Sequence, residues 1–410
     1  MTPHPEKKVR EMPNPLRTMR RGHTITALSA AALLALTACG TESTEESSAD
    51  GAATTESEAA VTVAEPIAVT YDGGLYVLDG TTLEVVQDIE LEGFNRLNPA
   101  GDDRHMFVST STGFQLLDAA GAELTDLEFE APKPGHVVRH AGKTVLFADG
   151  TGEVTIFDPA ELGDTLPETE TYTTPEAHHG VAVELENGEL VTTLGNEDER
   201  PGIVVLDENH EEIARNEDCP GVHGEATAQG EAVVIGCETG VLIYQDGEIT
   251  KVDSPTDYGR IGNQAGTDAS PITLGDYKQD EDAELERPTE VSLVDTEAGT
   301  ITLVDIGASY TFRSLARGPE GEGLVLGTDG AIHVVDPEAA EVTDSFPVID
   351  SWEEPLEWQQ PRPAIFVRGE TAFVSDPGAN EIHAVDLATG EITATGSLDS
   401  APNELSGVLG

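Results

Sequence analysis

The chain has 410 residues, of which 78 are Asp or Glu and 21 are Lys or Arg, so its formal net charge at pH 7 is −57. A chain this acidic repels nucleic acid and anionic membrane surfaces and attracts cations, which argues against a nucleic-acid-binding function. The same charge also keeps an exported protein soluble, so charge alone does not establish a cation ligand.

The N-terminus has the layout of a secretory signal peptide. Its apolar run, Leu28–Leu36, is too short to cross about 30 Å of hydrocarbon, which requires a helix of about 20 apolar residues. We therefore predict that residues 1–38 are a signal peptide, with Met19 as an alternative start to Met1. The basic residues that precede the apolar run are Lys7, Lys8, Arg10, Arg17, Arg20 and Arg21.

The apolar run ends in Leu36-Thr-Ala-Cys-Gly40, which resembles a lipobox. We predict that cleavage leaves Cys39 as the first residue and that this cysteine carries lipid; the alternative is an ordinary cleavage site beside a chance thiol. Residues 39–65 are rich in Ser, Thr, Glu and Ala and contain no aromatic residue, which predicts a disordered acidic tether. The expected location is the extracellular face of the cell membrane, with contact to the membrane only through the lipid.

A run of β-branched or aromatic residues that ends in Asp recurs at intervals of 39, 40, 49, 39, 49, 41 and 50 residues. A repeat of about 40 to 50 residues built from short strands and Gly/Asp turns is typical of one four-stranded blade of a β-propeller. We predict an all-β fold, a single β-propeller over residues 66–410 with eight blades of four antiparallel strands, and seven blades as the alternative. The runs are Tyr76–Asp79, Gln115–Asp118, Thr155–Asp158, Val204–Asp207, Leu242–Asp246, Ser292–Asp295, His333–Asp336 and His383–Asp386.

The two ends of this domain are expected to meet in one blade. The first repeat begins at Pro66–Thr70, which has the pattern of a second strand, so that blade lacks a first strand of its own. The C-terminal segment Glu404–Leu409 can supply this innermost strand. We therefore predict that the C-terminal strand closes the ring.

Histidine occupies the same place in three successive repeats. The first strand of each blade lines the central channel of a propeller, and His136, His179 and His223 begin this strand with separations of 43 and 44 residues. Three imidazoles from adjacent blades should converge, and Zn²⁺ takes about four ligands in a tetrahedron, commonly neutral imidazole. We predict a zinc site, with His178, Glu176, Glu225 or water as the fourth ligand. The equivalent positions in the other blades hold Arg96, Asn263, Arg313 and Arg362.

Two further cysteines, Cys219 and Cys237, lie on either side of His223. If the chain forms a hairpin around Gly230, Cys237 returns to the level of His223. An oxidising compartment then favours a disulfide, which would fix the loop that carries this histidine. The alternative is a pair of thiolate zinc ligands, which lacks the usual CxxC spacing.

Three segments together resemble the AztD-type zinc metallochaperones, β-propeller proteins that serve zinc-specific ABC importers. This resemblance covers the whole mature domain and implies that His136, His179 and His223 hold zinc at the channel mouth, that Cys219 and Cys237 form the structural disulfide, and that zinc passes to the solute-binding protein of the importer. Members of that family carry a histidine-rich N-terminal segment, whereas residues 40–65 contain no histidine. The segments are Gly135-His136, Glu176-Ala-His-His-Gly-Val-Ala182 and Cys219-Pro-Gly-Val-His-Gly-Glu225.

The functional prediction is a monomeric zinc-binding chaperone that is not an enzyme. One alternative is a metal-free protein-interaction scaffold that uses the propeller loops. The other is a metal-dependent propeller hydrolase of the lactonase type, but such sites favour carboxylate and amide ligands around Ca²⁺. The sequence also lacks the Gly-x-Ser-x-Gly motif of a serine nucleophile.

Overall fold

A computed structural model describes residues 62–409 of the chain. The predicted signal peptide, Cys39 and most of the predicted tether lie outside these residues. No helix in the described part has the length and the apolar character needed to cross a membrane. Within this part of the chain, two short 3₁₀ turns interrupt the strands, at Pro159–Glu161 and Gln229–Glu231.

Residues 62–409 contain thirty-two strands, which form eight antiparallel sheets of four strands each, and every sheet is one blade. The innermost strands of neighbouring blades contact one another and surround the channel. The eight-bladed prediction is confirmed and the seven-bladed alternative is wrong. The innermost strands are β4 (Arg96–Pro99), β8 (Pro134–His140), β12 (Ala182–Glu184), β16 (Glu225–Ala228), β20 (Gln264–Ala265), β24 (Leu315–Arg317), β28 (Ile365–Arg368) and β32 (Leu405–Gly407).

The two middle strands of each blade are almost continuously apolar because blades stack on both of their faces. The second strands are β1 (Ile67–Tyr71), β5 (His105–Ser109), β9 (Lys143–Ala148), β13 (Leu190–Leu194), β17 (Ala232–Cys237), β21 (Ile272–Gly275), β25 (Gly323–Leu326) and β29 (Thr371–Asp376). The third strands are β2 (Gly74–Leu78), β6 (Gly113–Asp118), β10 (Glu153–Phe157), β14 (Gly202–Leu206), β18 (Gly240–Gln245), β22 (Glu290–Asp295), β26 (Ala331–Asp336) and β30 (Glu381–Asp386).

The outermost strands are polar and mostly exposed, as expected at the rim of the ring. They are β3 (Val85–Glu90), β7 (Glu123–Glu130), β11 (Glu170–Thr173), β15 (Glu212–Asn216), β19 (Glu248–Asp253), β23 (Thr300–Asp305), β27 (Glu341–Pro347) and β31 (Ile392–Ser397).

The recurring Asp has a structural role in the turn between the third and fourth strands. The carboxylate of Asp79 accepts hydrogen bonds from the backbone N–H groups of Thr82 and Thr81, at 2.8 and 3.0 Å. The bond from Thr82 is the largest of the causes that lower the pKa of Asp79. Asp295 accepts the same pair of bonds from Glu297 and Ala298, so in these blades the residue that revealed the repeat begins the turn.

The chain ends join in the first blade. Strand β32 pairs antiparallel with β1 in the register Ile67↔Gly407 and Val69↔Leu405, so the innermost strand of this blade comes from the C-terminus. The predicted ring closure is therefore confirmed. At the other end, Val63 is buried in the apolar core, and its N–H donates to the carbonyl of Ala120. Packing against the propeller thus starts three residues before the predicted boundary at Pro66.

Candidate metal centre

The three histidines at successive blade starts converge at one mouth of the channel. His136 lies in the innermost strand β8, whereas His179 and His223 come just before β12 and β16. One ring nitrogen from each residue lies within 4.8 Å of the others, and within residues 62–409 these three side chains form the only such group of possible metal ligands. The ring centroids are 5.2, 5.7 and 4.9 Å apart. The repeat in the sequence therefore places three imidazoles around one point.

The hydrogen bonds on the far side of two rings fix which nitrogen faces that point. Nδ1 of His223 lies 2.6 Å from the carbonyl oxygen of Gly262, and a carbonyl only accepts, so this nitrogen carries the proton. Nδ1 of His179 donates to the Asp149 carboxylate at 2.5 Å. In neutral rings the Nε2 atoms of His179 and His223 are then both unprotonated, and they face each other at 3.0 Å.

Two nitrogen lone pairs at 3.0 Å repel each other unless a cation lies between them. Two imidazole nitrogens bound to one tetrahedral Zn²⁺ at about 2.0–2.1 Å are about 3.3 Å apart. The observed separation of 3.0 Å between the Nε2 atoms of His179 and His223 is close to this value. The donor set, three imidazoles with two of them oriented by outer hydrogen bonds, therefore fits a zinc ion.

The deepest of the three rings is held neutral by its surroundings. Burial is the main cause that lowers the pKa of His223 to about 2, and the neighbouring His136 is the next cause. A neutral imidazole is the form that binds metal. By contrast, the side chain of His179 is 41% exposed, so the site opens toward solvent on that side.

Glycines beside the histidines allow the close approach of these groups. Gly224 has φ of +74°, and a Cβ at this position would lie 2.3 Å from the carbonyl oxygen of Gly262, the group that orients His223. A Cβ on Gly135 would lie 2.2 Å from Oδ1 of Asp149. The Gly-His and His-Gly pairs in the sequence therefore make room for the acceptors behind the rings.

The candidates for the fourth ligand occupy different surroundings. Glu225 lines the mouth, with its Oε2 3.4 Å from Nδ1 of His136. His178 is buried, and its ring nitrogens bond to the carbonyl of Glu176 and the hydroxyl of Thr193, both at 3.0 Å. Glu176 is exposed and contributes this backbone carbonyl. Among these three candidates, Glu225 is the one whose carboxylate lies beside the histidines. The identity of the fourth ligand stays a prediction.

Asp149 was not among the predicted site residues. It follows β9, and no local signal in the sequence connects it with His179, 30 residues further on. Its other carboxylate oxygen lies 3.4 Å from the N–H of Gly180. This aspartate orients the His179 ring from the neighbouring blade.

Cys219 and Cys237 form a disulfide with a Cα–Cα distance of 5.6 Å, and both residues are buried. The predicted bridge is confirmed, and the alternative of two thiolate zinc ligands is wrong because each sulfur is bonded to the other. The bridge connects β17 with the segment that leads to His223, whose N–H donates to the carbonyl of Gly236 at 2.9 Å. The disulfide thus fixes the backbone that carries this histidine.

The other blade starts gather at the same mouth. A cavity of about 620 Å³ is lined by the three histidines together with Arg96 and Asn263. The guanidinium groups of Arg313 and Arg362 lie 5.1 and 5.0 Å from the ring of Phe312, which also lines this cavity. The predicted register of the channel-facing strands therefore holds around the ring.

No family model matches the chain. Its sequence is 25% identical over 304 residues to the zinc chaperone AztD of Citrobacter koseri, covering 72% of this chain and 70% of that protein. The resemblance to AztD-type chaperones is confirmed. Two crystal structures of C. koseri AztD, one of them described as the apo protein, match with a TM-score of 0.72 and 22% identity over 84% of this chain and 96% of theirs.

Another solved structure with a similar fold belongs to an enzyme. The dihydro-heme d1 dehydrogenase NirN matches with a TM-score of 0.53 and 12% identity, over 83% of this chain and 75% of that one. NirN is an enzyme, whereas AztD is a chaperone. The shared architecture therefore does not decide between catalysis and metal delivery. The residues of the site distinguish these two functions.

Proposed function

We propose that this chain is a zinc chaperone that binds Zn²⁺ through His136, His179 and His223 and delivers it to the solute-binding protein of a zinc ABC importer. The observation that carries the proposal is the convergence of three ring nitrogens within 4.8 Å, with the Nε2 atoms of His179 and His223 3.0 Å apart and the third imidazole beside them. The similarity to zinc chaperone AztD supports zinc as the metal and transport as the purpose.

The position of the site suits a cargo ion. A structural zinc site is usually closed by four protein ligands, whereas here three imidazoles come from the protein and the fourth position faces the mouth cavity. Glu225 or water completes the tetrahedron. A ligand from an acceptor protein can replace this fourth group without passing through the fold, because His179 is half exposed.

We further propose that the chain is not an enzyme. Of the carboxylates beside the imidazoles, Asp149 is engaged as the acceptor for His179, and Glu225 lies beside His136 as a candidate for the fourth ligand. A hydrolase with a metal-bound water needs a general base within reach of that water. Asp149 lies behind its histidine, on the side of Nδ1, and is badly placed for this role.

The proposed location follows from the N-terminal sequence. A signal peptide over residues 1–38 and a lipid on Cys39 would hold the propeller at the extracellular face of the membrane, as a monomer on the acidic tether. The importer works at the same face, so anchoring raises the local concentration of the chaperone near its acceptor.

The test is the zinc content of the purified protein after dialysis. We expect one Zn²⁺ per chain in the wild type, and loss of tight binding in His179→Ala and His223→Ala because three imidazoles are needed to hold the ion. His210→Ala is the matched control, since this histidine lies away from the mouth and contacts Glu170 at 3.5 Å. A wild type that retains no more zinc than the triple variant of His136, His179 and His223 would contradict the proposal.

The metal-free scaffold alternative has its own outcome. A strain that lacks the protein is complemented with the wild type or with the triple alanine variant and grown under zinc limitation. Chaperone function predicts that only the wild type restores growth. Equal rescue by the triple variant would favour a scaffold.

A further inference from the structure

The channel mouth that holds the histidines also carries positive charge. Arg96, Arg260 and Lys278 line the same cavity of about 620 Å³ as the three imidazoles. The Arg96 side chain is 45% exposed. Arg260 lies behind Gly262, at 2.4 Å from a Cβ placed on that glycine, and so stands next to the group that orients His223.

This charge is unusual for a chain with 78 acidic and only 21 basic residues. Arg260 and Lys278 have no carboxylate within 4 Å among the described residues. Arg96 has one distant contact, 3.7 Å from the carboxylate of Glu404, and that carboxylate also pairs with Arg313. Among the described residues that line this cavity the one carboxylate is that of Glu225, which lies beside His136, so the three cations are available to bind an anion from outside.

An exposed aromatic side chain stands at the edge of the same cavity. Trp358 lines the mouth, is 52% exposed and packs edge-on against Phe94, with 5.1 Å between ring centroids. Leu356, two residues before it, is 66% exposed. Exposed Trp beside Arg is typical of the residues that dominate protein–protein binding, and a site for a small inorganic anion has no need of it.

We propose that the mouth docks an acidic polypeptide segment of the protein that accepts the zinc. Carboxylates of this segment pair with Arg96, Arg260 and Lys278, and an apolar side chain of the segment packs on Trp358. Docking brings a carboxylate or imidazole of the acceptor to the fourth position of the metal. The identity of the partner as zinc acceptor rests on the proposed function, whereas the surface and its preference for acidic peptide do not.

The cationic groups also act on the ion itself. A guanidinium near a bound Zn²⁺ repels it, and an entering carboxylate removes this repulsion while it competes for the metal. The same residues therefore attract the acceptor, and transfer of the ion depends on a carboxylate or imidazole of the acceptor that competes for the metal. Charge complementarity of this kind sets the association rate and the choice of partner.

The direct test is the binding of a synthetic octaglutamate peptide, followed by tryptophan fluorescence. The chain has two tryptophans, so Trp352→Phe leaves Trp358 as the single reporter. We expect the Trp358 emission to shift when the peptide binds, in both metal-free and zinc-loaded protein. The affinity should fall several-fold between about 50 and about 300 mM salt, because exposed charges are screened at the higher concentration.

Matched charge variants locate the interaction. In the Trp352→Phe background, Arg260→Gln/Lys278→Gln is expected to weaken peptide binding about tenfold or more. Lys143→Gln/Arg215→Gln removes the same number of cations away from the mouth, at the start of β9 and in the outermost strand β15, and should change the affinity less than about twofold. Equal losses in the two double variants, or no shift of the Trp358 emission, would overturn the proposal.

The same experiments distinguish a small-anion site from a peptide-docking surface, and failure of the docking proposal from failure of the proposed function. If free glutamate or phosphate at the same total charge displaces the peptide fully, the mouth is a small-anion site and the docking proposal is wrong. If the wild type retains no zinc but the peptide still binds at the mouth, the proposed function fails and the acidic-segment surface stands. If the wild type retains zinc but does not bind the peptide, the docking proposal fails and the proposed function stands.

Discussion

Asp149 gives the sharpest test of the metal centre because, of the three imidazoles, its carboxylate bonds to one and from the far side of the ring. Its Oδ2 lies 2.5 Å from Nδ1 of His179, and this bond holds the unprotonated Nε2 toward the site. Removing the carboxylate that orients a metal-bound histidine typically weakens metal binding about 10- to 100-fold. Since about 1.4 kcal/mol corresponds to a tenfold change, we expect Asp149→Ala to reduce zinc binding by about 1.4–2.8 kcal/mol.

Asp149→Asn is the more informative companion variant. Its amide oxygen can still accept from Nδ1, but the negative charge that makes the imidazole a better ligand is lost, so the affinity should lie between those of wild type and Asp149→Ala. Asp164→Asn removes one exposed carboxylate elsewhere and serves as the control. The measurement is competition with a chelating zinc indicator, with thermal unfolding as a check on folding. An Asp149→Ala protein that is fully folded and binds zinc within about twofold of the wild type would refute the reasoning.

Three further outcomes follow from the fold. Replacing Cys219 and Cys237 by Ala opens a disulfide between residues 18 positions apart, which should lower the free energy of unfolding by about 3 kcal/mol in denaturant titrations and weaken zinc binding. Gly224→Ala forces a Cβ against a carbonyl and should reduce both zinc content and melting temperature, whereas Gly142→Ala, with φ of +73° and open space, should cost only about 1 kcal/mol. Deletion of residues 402–410 removes β32 and should abolish cooperative thermal unfolding, because the first blade loses its innermost strand.

The sequence determined the architecture because its signals are local and repeat. In each blade an Asp stands at the end of the apolar third strand, and in most blades its carboxylate accepts hydrogen bonds from N–H groups of the following turn, as in Asp79 and Asp295. The missing first strand at Pro66 and the spare segment at the C-terminus likewise followed from counting strands. A repeat also fixes which positions are equivalent, so the convergence of His136, His179 and His223 was predictable without coordinates.

The surroundings of the imidazoles were decided only by the tertiary structure. Asp149 and the carbonyl of Gly262 reach His179 and His223 from neighbouring blades, 30 and 39 residues away in the chain, and neither has a sequence pattern of its own. The sequence likewise did not show which of two adjacent histidines reaches the site. His179 faces the mouth, whereas the ring of His178 bonds to Thr193. Successive side chains in an extended segment point to opposite sides, but which side faces the channel depends on how the blade docks.

The positive charge of the channel mouth was also decided by the tertiary structure. Composition showed an acidic chain, and nothing in the sequence placed Arg260 and Lys278 beside the histidines. Local hydrogen bonding and hydrophobic burial act between residues close in the chain or in equivalent repeats, so a single sequence records them. The electrostatic field at a site is the sum over charges that the closed ring brings together from distant blades, and it exists only once the ring has formed.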